Sequence, residues 1–222
     1  MRSFDEIFEI AAERQGGHQS LEAKLDPPLL PRQLAAIPDD RWLSCMTKCI
    51  FNAGFNWKVV DNMWPGFEEA FQGFDIGRCA MLNEDDIARL AADVRIVRHG
   101  GKIRSVQHNA VFLQELAGEH GSAAQFFADW PATDQAGLLE TLKRRGTRLG
   151  GATGQYFLRF MGKDSYVLSR DVVARLIAEG VVDRTPASKK AMSAVQSAFN
   201  RWMEESGRSA KEISRTLAMS IG

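Results

Sequence analysis

The chain has 222 residues, 45% of them hydrophobic and 25% charged, and its 28 Lys and Arg are matched by 28 Asp and Glu. Those fractions exclude a disordered or fibrous chain, and the length suffices to bury a core without disulfides. With no net charge to attract a polyanion, any nucleic-acid surface must come from local clustering.

Phe4, Ile7, Phe8, Ile10 and Ala11 recur at helical spacing and predict a surface helix stopped by Gly16-Gly17. Acidic residues between those apolar positions mark an amphipathic helix rather than a secretory leader. No apolar run approaches the ~20 residues that span a bilayer. Cys45, Cys49 and Cys79 lack paired metal-type spacing, so the expectation is a cytoplasmic protein with reduced thiols and no membrane contact. Pro27, Pro28, Pro31 and Pro38 make the next stretch an irregular connector with at most one short helix. Asp39 or Asp40 can then cap a long helix through Trp42, Met46, Cys49 and Ile50, which Gly54 closes. From Trp57 to Phe71 helix signals are interrupted by the breaker Pro65-Gly66, so short helices in series are expected.

Asn83 to Asp86 open a helix whose core face is Ile87, Leu90 and Ala91. After a turn at His99-Gly100-Gly101, the residues Ile103, Val106, Ala110, Leu113 and Leu116 keep helical spacing again. Further helices are predicted at 122–128, 134–144, 153–161, 169–178, 187–204 and 209–219. Without sustained alternation or hairpin turn pairs, the expected fold is all-α with no fixed-period repeat. His18, His99, His108 and His120 share no metal-ligand spacing and no Walker or dinucleotide loop is present, so neither a metal nor another cofactor is expected.

The string LKRRGTRLGGATGQYFLRFMG at 142–162 reads as a basic helix end, a glycine turn and a second helix. Gly150-Gly151 allow a tight turn, and the following helix start presents free N–H groups suited to a phosphate, with Lys143, Arg144, Arg145 and Arg148 beside it. The same pattern also fits an ordinary corner between two helices with a solvated basic end. The stretch IFNAGFNWKVVDNMWPGF at 50–67 is rich in aromatics. Phe51, Phe55, Trp57 and Trp64 have faces on which an extruded base can stack, with Asn52 or Asn56 to read its edge, or they are simply core.

AGFNW at 53–57 resembles the AGLSW segment of the DNA-3-methyladenine glycosylase I family, within the helix-hairpin-helix DNA glycosylase superfamily. RIVRHGGKI at 95–103 is similar to that family's GIIRHRGKI, and LKRRGTRLGGATGQYF looks like its hairpin with a following tyrosine, here Tyr156. The resemblance covers about residues 40 to 176 and implies a two-lobed helical fold with a cleft between the lobes. One glycosylase-like unit over 1–222 would comprise an N-terminal helix and connector (1–40), a core (41–176) with the hairpin at 142–161, and C-terminal helices (177–222).

The implied activity is hydrolysis of the N-glycosidic bond of an alkylated purine such as 3-methyladenine, flipped out of double-stranded DNA by a monomer. Base contacts are expected from Cys49, Phe51, Asn52, Phe55, Trp57 and Tyr156. DNA contacts are expected from Gly54, Lys102, Arg145, Arg148, Gly150, Gly151 and Thr153. Two departures mark a divergent member. Cys49 stands where the family carries a base-recognising glutamate, and the cysteine and histidine ligands of the family's structural zinc are missing, so packing of the helices after residue 185 is expected to clasp the ends instead.

In the superfamily an aspartate soon after the hairpin stabilises the cationic sugar. Asp171 in VLSRDVVARL is the candidate, or else Ser169 or Asp171 caps the next helix; Asp164 lies in an expected turn. No lysine is set up as a nucleophile, which implies a monofunctional glycosylase. The alternative is a non-catalytic binder of damaged DNA that kept the hairpin, and a further one is a helical protein-interaction module.

Overall fold

The computed structural model describes residues 1–221. In chain order its helices are α1 (Phe4–Gln15), α2 (His18–Glu22), α3 (Pro31–Ala35), α4 (Asp39–Asn52), α5 (Trp57–Ala70), α6 (Ile76–Ala80), α7 (Glu84–Ala92), α8 (Gly100–His120), α9 (Ala123–Asp129), α10 (Gln135–Arg145), α11 (Ala152–Phe160), α12 (Arg170–Ala178), α13 (Lys189–Ser206) and α14 (Ala210–Met219). Single 3-10 turns lie at Gln72–Phe74 and Ala132–Asp134, and no strand occurs among the described residues, so the fold is all-α. Among the same residues no helix is long and apolar enough to cross a membrane.

Local chemistry sets most helix ends. Ser3 and Glu6 form a capping box at the start of α1, and Gly16 ends that helix in the left-handed conformation at φ 88°. Asn83 with Asp86 and Ser209 with Glu212 make the same reciprocal box at α7 and α14. Asp39 departs from its expected role. It lies in the first turn of α4, and its carboxylate accepts from the N–H groups of Ala123 and Ala124 at 3.1 and 3.0 Å, capping α9 instead.

The expected break at Pro65-Gly66 is absent, and α5 runs through it unbroken. Pro65 sits on the exposed side of the helix, where water can satisfy the acceptor that a proline leaves open. Gly66 has a packing role, because a Cβ there would come within 2.4 Å of the Arg95 carbonyl oxygen. The glycine lets two backbone segments touch; it does not end the helix.

The chain forms two compact units. One contains residues 1–29, 130–138 and the chain from Gly162. Its core gathers Phe4 and Ile7 of α1 with Tyr166, Leu176, Phe199, Trp202, Ile213 and Leu217. Tyr166 stacks on Phe199 at 4.4 Å between ring centroids, and Phe199 meets Trp202 edge-on. The N-terminal segment is also held by polar groups. The Arg2 main-chain N–H and guanidinium donate to Glu179 at 2.8 Å each, the Trp202 indole donates to the Arg2 carbonyl at 3.1 Å, and the Phe4 N–H donates to Glu205 at 3.2 Å. Arg175 joins Glu179 to Ser220. Among the described residues no three His, Cys, Asp or Glu side chains converge as metal ligands would.

The other unit contains residues 30–129 and 139–161. Trp42 lies wholly buried at its centre, stacked on Phe127 at 4.5 Å and edge-on to Phe157 at 5.8 Å. The long helix α8 buries Ile103, Val106, Ala110, Leu113 and Leu116, the stripe its spacing predicts.

Candidate functional site

The second unit carries a cavity of about 180 Å³ lined by Cys49, Asn52, Ala53 and Gly54 at the end of α4, Trp57 at the start of α5, and Ala152, Thr153, Tyr156 and Phe160 of α11. Cys49 and Asn52 stand one turn apart on the same face of α4. The chain then turns through Gly54, whose φ of 79° suits glycine, and Asn56 restarts the helix by accepting from the Lys58 N–H at 3.0 Å. Trp57 is thereby held at the first position of α5.

Three rings form one wall of the cavity. Trp57 meets Tyr156 edge-on at 5.4 Å and Phe160 edge-on at 5.8 Å, while Tyr156 and Phe160, four residues apart on α11, lie at 5.8 Å and 29°. Phe160 is 52% exposed and Trp57 43%. Such rings, left open to solvent beside a cavity, offer stacking area that the core does not use. The lining also includes Cys49, whose thiol pKa hydrogen bonding to Cys45 and burial both push well above its ordinary range. A shift in that direction disfavours the thiolate that a nucleophile needs.

The turn Gly146–Gly151 joins α10 to α11. A Cβ at Gly146 would meet the Leu149 side chain at 2.6 Å and the Leu142 carbonyl at 2.8 Å, and one at Gly154 would meet the Leu149 carbonyl at 2.4 Å. The turn is folded so tightly that only glycine fits at both positions. Gly151 precedes α11 at φ 61°, ψ −137° and supplies no side-chain cap, so the first N–H groups of α11 at Ala152 and Thr153 have no capping acceptor from it. From α8 the fully buried Asn109 pins the turn, accepting from the Thr147 N–H at 2.8 Å and donating to the Thr147 carbonyl at 3.1 Å.

Of the expected contact residues, the structure brings Cys49, Asn52, Gly54, Trp57, Thr153 and Tyr156 together around the cavity. Phe55 stands outside its lining, 39% exposed on the loop before α5. Phe51 is corrected: its ring is fully buried edge-on against Phe67 at 4.7 Å, and a base has no way to stack on it. Lys102 is corrected as well. Its side chain is buried and donates to the Phe51 and Ala53 carbonyls, so it caps the end of α4 and reaches no phosphate. Burial, with Arg148 nearby, lowers its pKa.

The basic cluster is less uniform than its sequence. Arg145 is paired with Glu119 at 2.6 Å and Glu115 at 3.3 Å over the Phe112 ring, whereas Lys143, Arg144 and Arg148 are exposed. Arg148 adopts φ 63° and its Nε donates to the Gly101 carbonyl at 3.2 Å.

Asp171 belongs to the first unit and is exposed on the first turn of α12. The cap of that helix is Ser169, whose hydroxyl accepts from the Val172 N–H at 3.3 Å. Asp164 accepts from the Lys211 N–H at 2.9 Å at the start of α14, and burial raises its pKa. Sequence reasoning missed Phe160, Ala152 and Asn109. The i, i+4 pairing of Phe160 with Tyr156, and a lone polar residue inside the apolar stripe of α8, were the available signals.

Residues 37–147 match the methyladenine glycosylase family. DNA-3-methyladenine glycosylase 1 of Escherichia coli (strain K12) is 30% identical over 119 residues, which cover 46% of this chain and 64% of that protein. The chain therefore spans somewhat less than two thirds of this relative. Among solved structures, 3-methyladenine DNA glycosylase I from Staphylococcus aureus superposes with a TM-score of 0.52 at 22% identity, covering 62% of this chain and 80% of that one. A tyrosine-to-phenylalanine variant of 3-methyladenine DNA glycosylase I in complex with 3-methyladenine gives 0.51 at 22% identity, covering 60% and 82%. These likenesses establish the helical fold, and the match over half of the sequence establishes the lineage: the chain belongs to the methyladenine glycosylase family.

Proposed function

We propose that this protein is a monofunctional DNA glycosylase that excises 3-methyladenine or a closely similar alkylated purine from double-stranded DNA. The observation that carries the reading is the cavity walled by Trp57, Tyr156 and Phe160, set beside the first turn of α11. A base turned out of the duplex stacks on that wall, while the N–H groups at the start of α11, with Arg148 and Lys143 nearby, hold the backbone phosphate. An alkylated purine that carries positive charge is a good leaving group, so stacking and water placement supply much of the acceleration. Asp171 is the proposed carboxylate for the developing sugar cation. Because Ser169 serves as the helix cap, the Asp171 side chain is not needed for that purpose. The reading includes a monomer acting in the cytoplasm, consistent with three free cysteines.

A second reading, a non-catalytic binder of damaged DNA, is favoured by one specific observation: no carboxylate lines the cavity. Liberation of free 3-methyladenine from methylated duplex DNA separates the two. The glycosylase releases the base, and release drops in Asp171→Asn without loss of DNA binding. The binder retains salt-sensitive affinity and releases nothing.

A further inference from the structure

The exposed cations of the second unit fall into two groups. Arg41, Lys48, Arg89, Arg95, Arg104 and Arg145 each hold a carboxylate. Lys58, Arg98, Lys143, Arg144 and Arg148 are exposed and form no ion pair among the described residues. Arg32 is unpaired as well, on α3, which packs on α9. The other five gather where the cavity opens. Lys58 follows Trp57, whose ring lines the cavity, in a run from 53 to 59 that is exposed throughout. Phe55 of that run meets His99 edge-on at 6.4 Å, and Arg98 is the neighbour of His99 before α8. The Arg148 Nε donates to the carbonyl of Gly101, in the first turn of α8, at 3.2 Å. A Cβ at Gly150 would meet the stem of Lys143 at 3.4 Å, so that side chain lies along the turn before α11.

Resting on the glycosylase reading, we infer that Lys58 and Arg98 are backbone-phosphate contacts, which extend the cationic surface of the glycine turn along the cavity rim to the start of α5. The chain as a whole has no net charge, with 28 Lys and Arg against 28 Asp and Glu, so attraction for a polyanion must be local. An unpaired exposed cation meets a phosphate without first giving up a carboxylate, and the contact releases a counterion from the DNA. Lys58, Arg98 and Arg148 come from three separate segments and share no partner. Cations strung along an edge suit a row of phosphates, whereas a single small anion needs donors that converge on one point. They also take the place of Lys102 and Arg145, whose charges are engaged by main-chain carbonyls and by glutamates. Contacts of this kind fix the position of the duplex over the cavity and read no sequence.

The test measures binding of the full-length protein to a short duplex carrying a tetrahydrofuran abasic-site analogue, by fluorescence anisotropy over a range of salt concentrations. Lys58→Gln and Arg98→Gln are each expected to lower the slope of log affinity against log salt by about one, and the double variant by about two. Both side chains are exposed and unpaired, so the variants should melt as wild type does. Arg89→Gln is the control: it removes the same charge from the same unit, but that guanidinium is held by Asp86, and the slope should not change. An undiminished slope in either folded variant overturns the inference. So does an equal fall in Arg89→Gln, which would mean that overall charge and not this edge governs binding. A wild type that does not bind the duplex at all defeats the DNA glycosylase reading itself, a different result from a wild type that binds with a slope the variants leave intact.

Discussion

The buried Lys102 ammonium donates to the Ala53 carbonyl at 2.6 Å while lying 4.5 Å from the centroid of the Phe55 ring. One side chain thus closes the C-terminal end of α4, where positive charge is favoured, and braces the loop that leads to Trp57. It does so from α8, which also pins the turn before α11 through Asn109. The cavity is therefore framed by two helix ends held from one long helix.

This arrangement separates Lys102 from a phosphate contact experimentally. Lys102→Met should cost ~1–3 kcal/mol of stability, since two carbonyls lose their donor, yet leave the salt dependence of DNA binding unchanged. Arg148→Gln should do the reverse, lowering the slope of log affinity against log salt by about one. Urea denaturation and salt-titrated binding read the two effects.

Trp57 at the cavity and Trp42 in the core of the same unit should also behave differently. Trp57→Ala should leave thermal stability nearly unchanged, because the ring is 43% exposed, and should lower base release by roughly five- to 150-fold through lost stacking. Trp42→Ala removes a ring with no exposed surface and should cost ~3–5 kcal/mol. Calorimetric melting beside a single-turnover assay checks both.

Gly151→Ala isolates backbone strain. No atom lies within 4 Å of a Cβ there, so sterics with neighbours contribute nothing, but φ 61° with ψ −137° is a conformation other residues avoid. A loss of ~1–3 kcal/mol is expected, together with weaker DNA binding as the start of α11 shifts. Unchanged affinity in a folded Gly151→Ala protein would remove the phosphate-cradle role from this turn.

The clasp on the N-terminal segment predicts an acid-sensitive first unit. Burial alone would raise the Glu179 pKa, but hydrogen bonds from the Arg2 main chain, the Arg2 side chain and Arg175 bring it below its ordinary value of 4.5. A depressed folded-state pKa gives stability that is present above that value and lost as the pH falls through the lowered one. Glu179→Gln should therefore be destabilised by ~3–5 kcal/mol at neutral pH, and the gap to wild type should narrow below pH 4.5. A gap that stays constant from neutral to acidic pH would contradict the linkage.

Helix positions were legible wherever local chemistry fixes them. The stripe on α8, the capping box of Asn83 and the stop at Gly16 each depend on residues within a turn of one another. What stayed hidden depends on partners distant in sequence. Asp39 caps α9, a helix that begins more than eighty residues later in the chain, and Gly66 is set by the Arg95 backbone; neither is visible in a short window. The site divided along the same line. Trp57, Tyr156 and the glycine turn are carried by motif strings. Phe51 and Phe55, close in the same aromatic stretch, differ only in which way the helix end turns them, and that is decided by Lys102 and Phe67. Phe51 entered the core and Phe55 the surface.

The most direct measurement is single-turnover release of 3-methyladenine from methylated duplex DNA by the wild-type protein, with Trp57→Ala beside it. The account predicts release by wild type and its collapse in the variant while the fold is preserved. Salt-sensitive binding to the duplex with no base released would contradict the glycosylase activity and leave a DNA-binding protein built on the same turn.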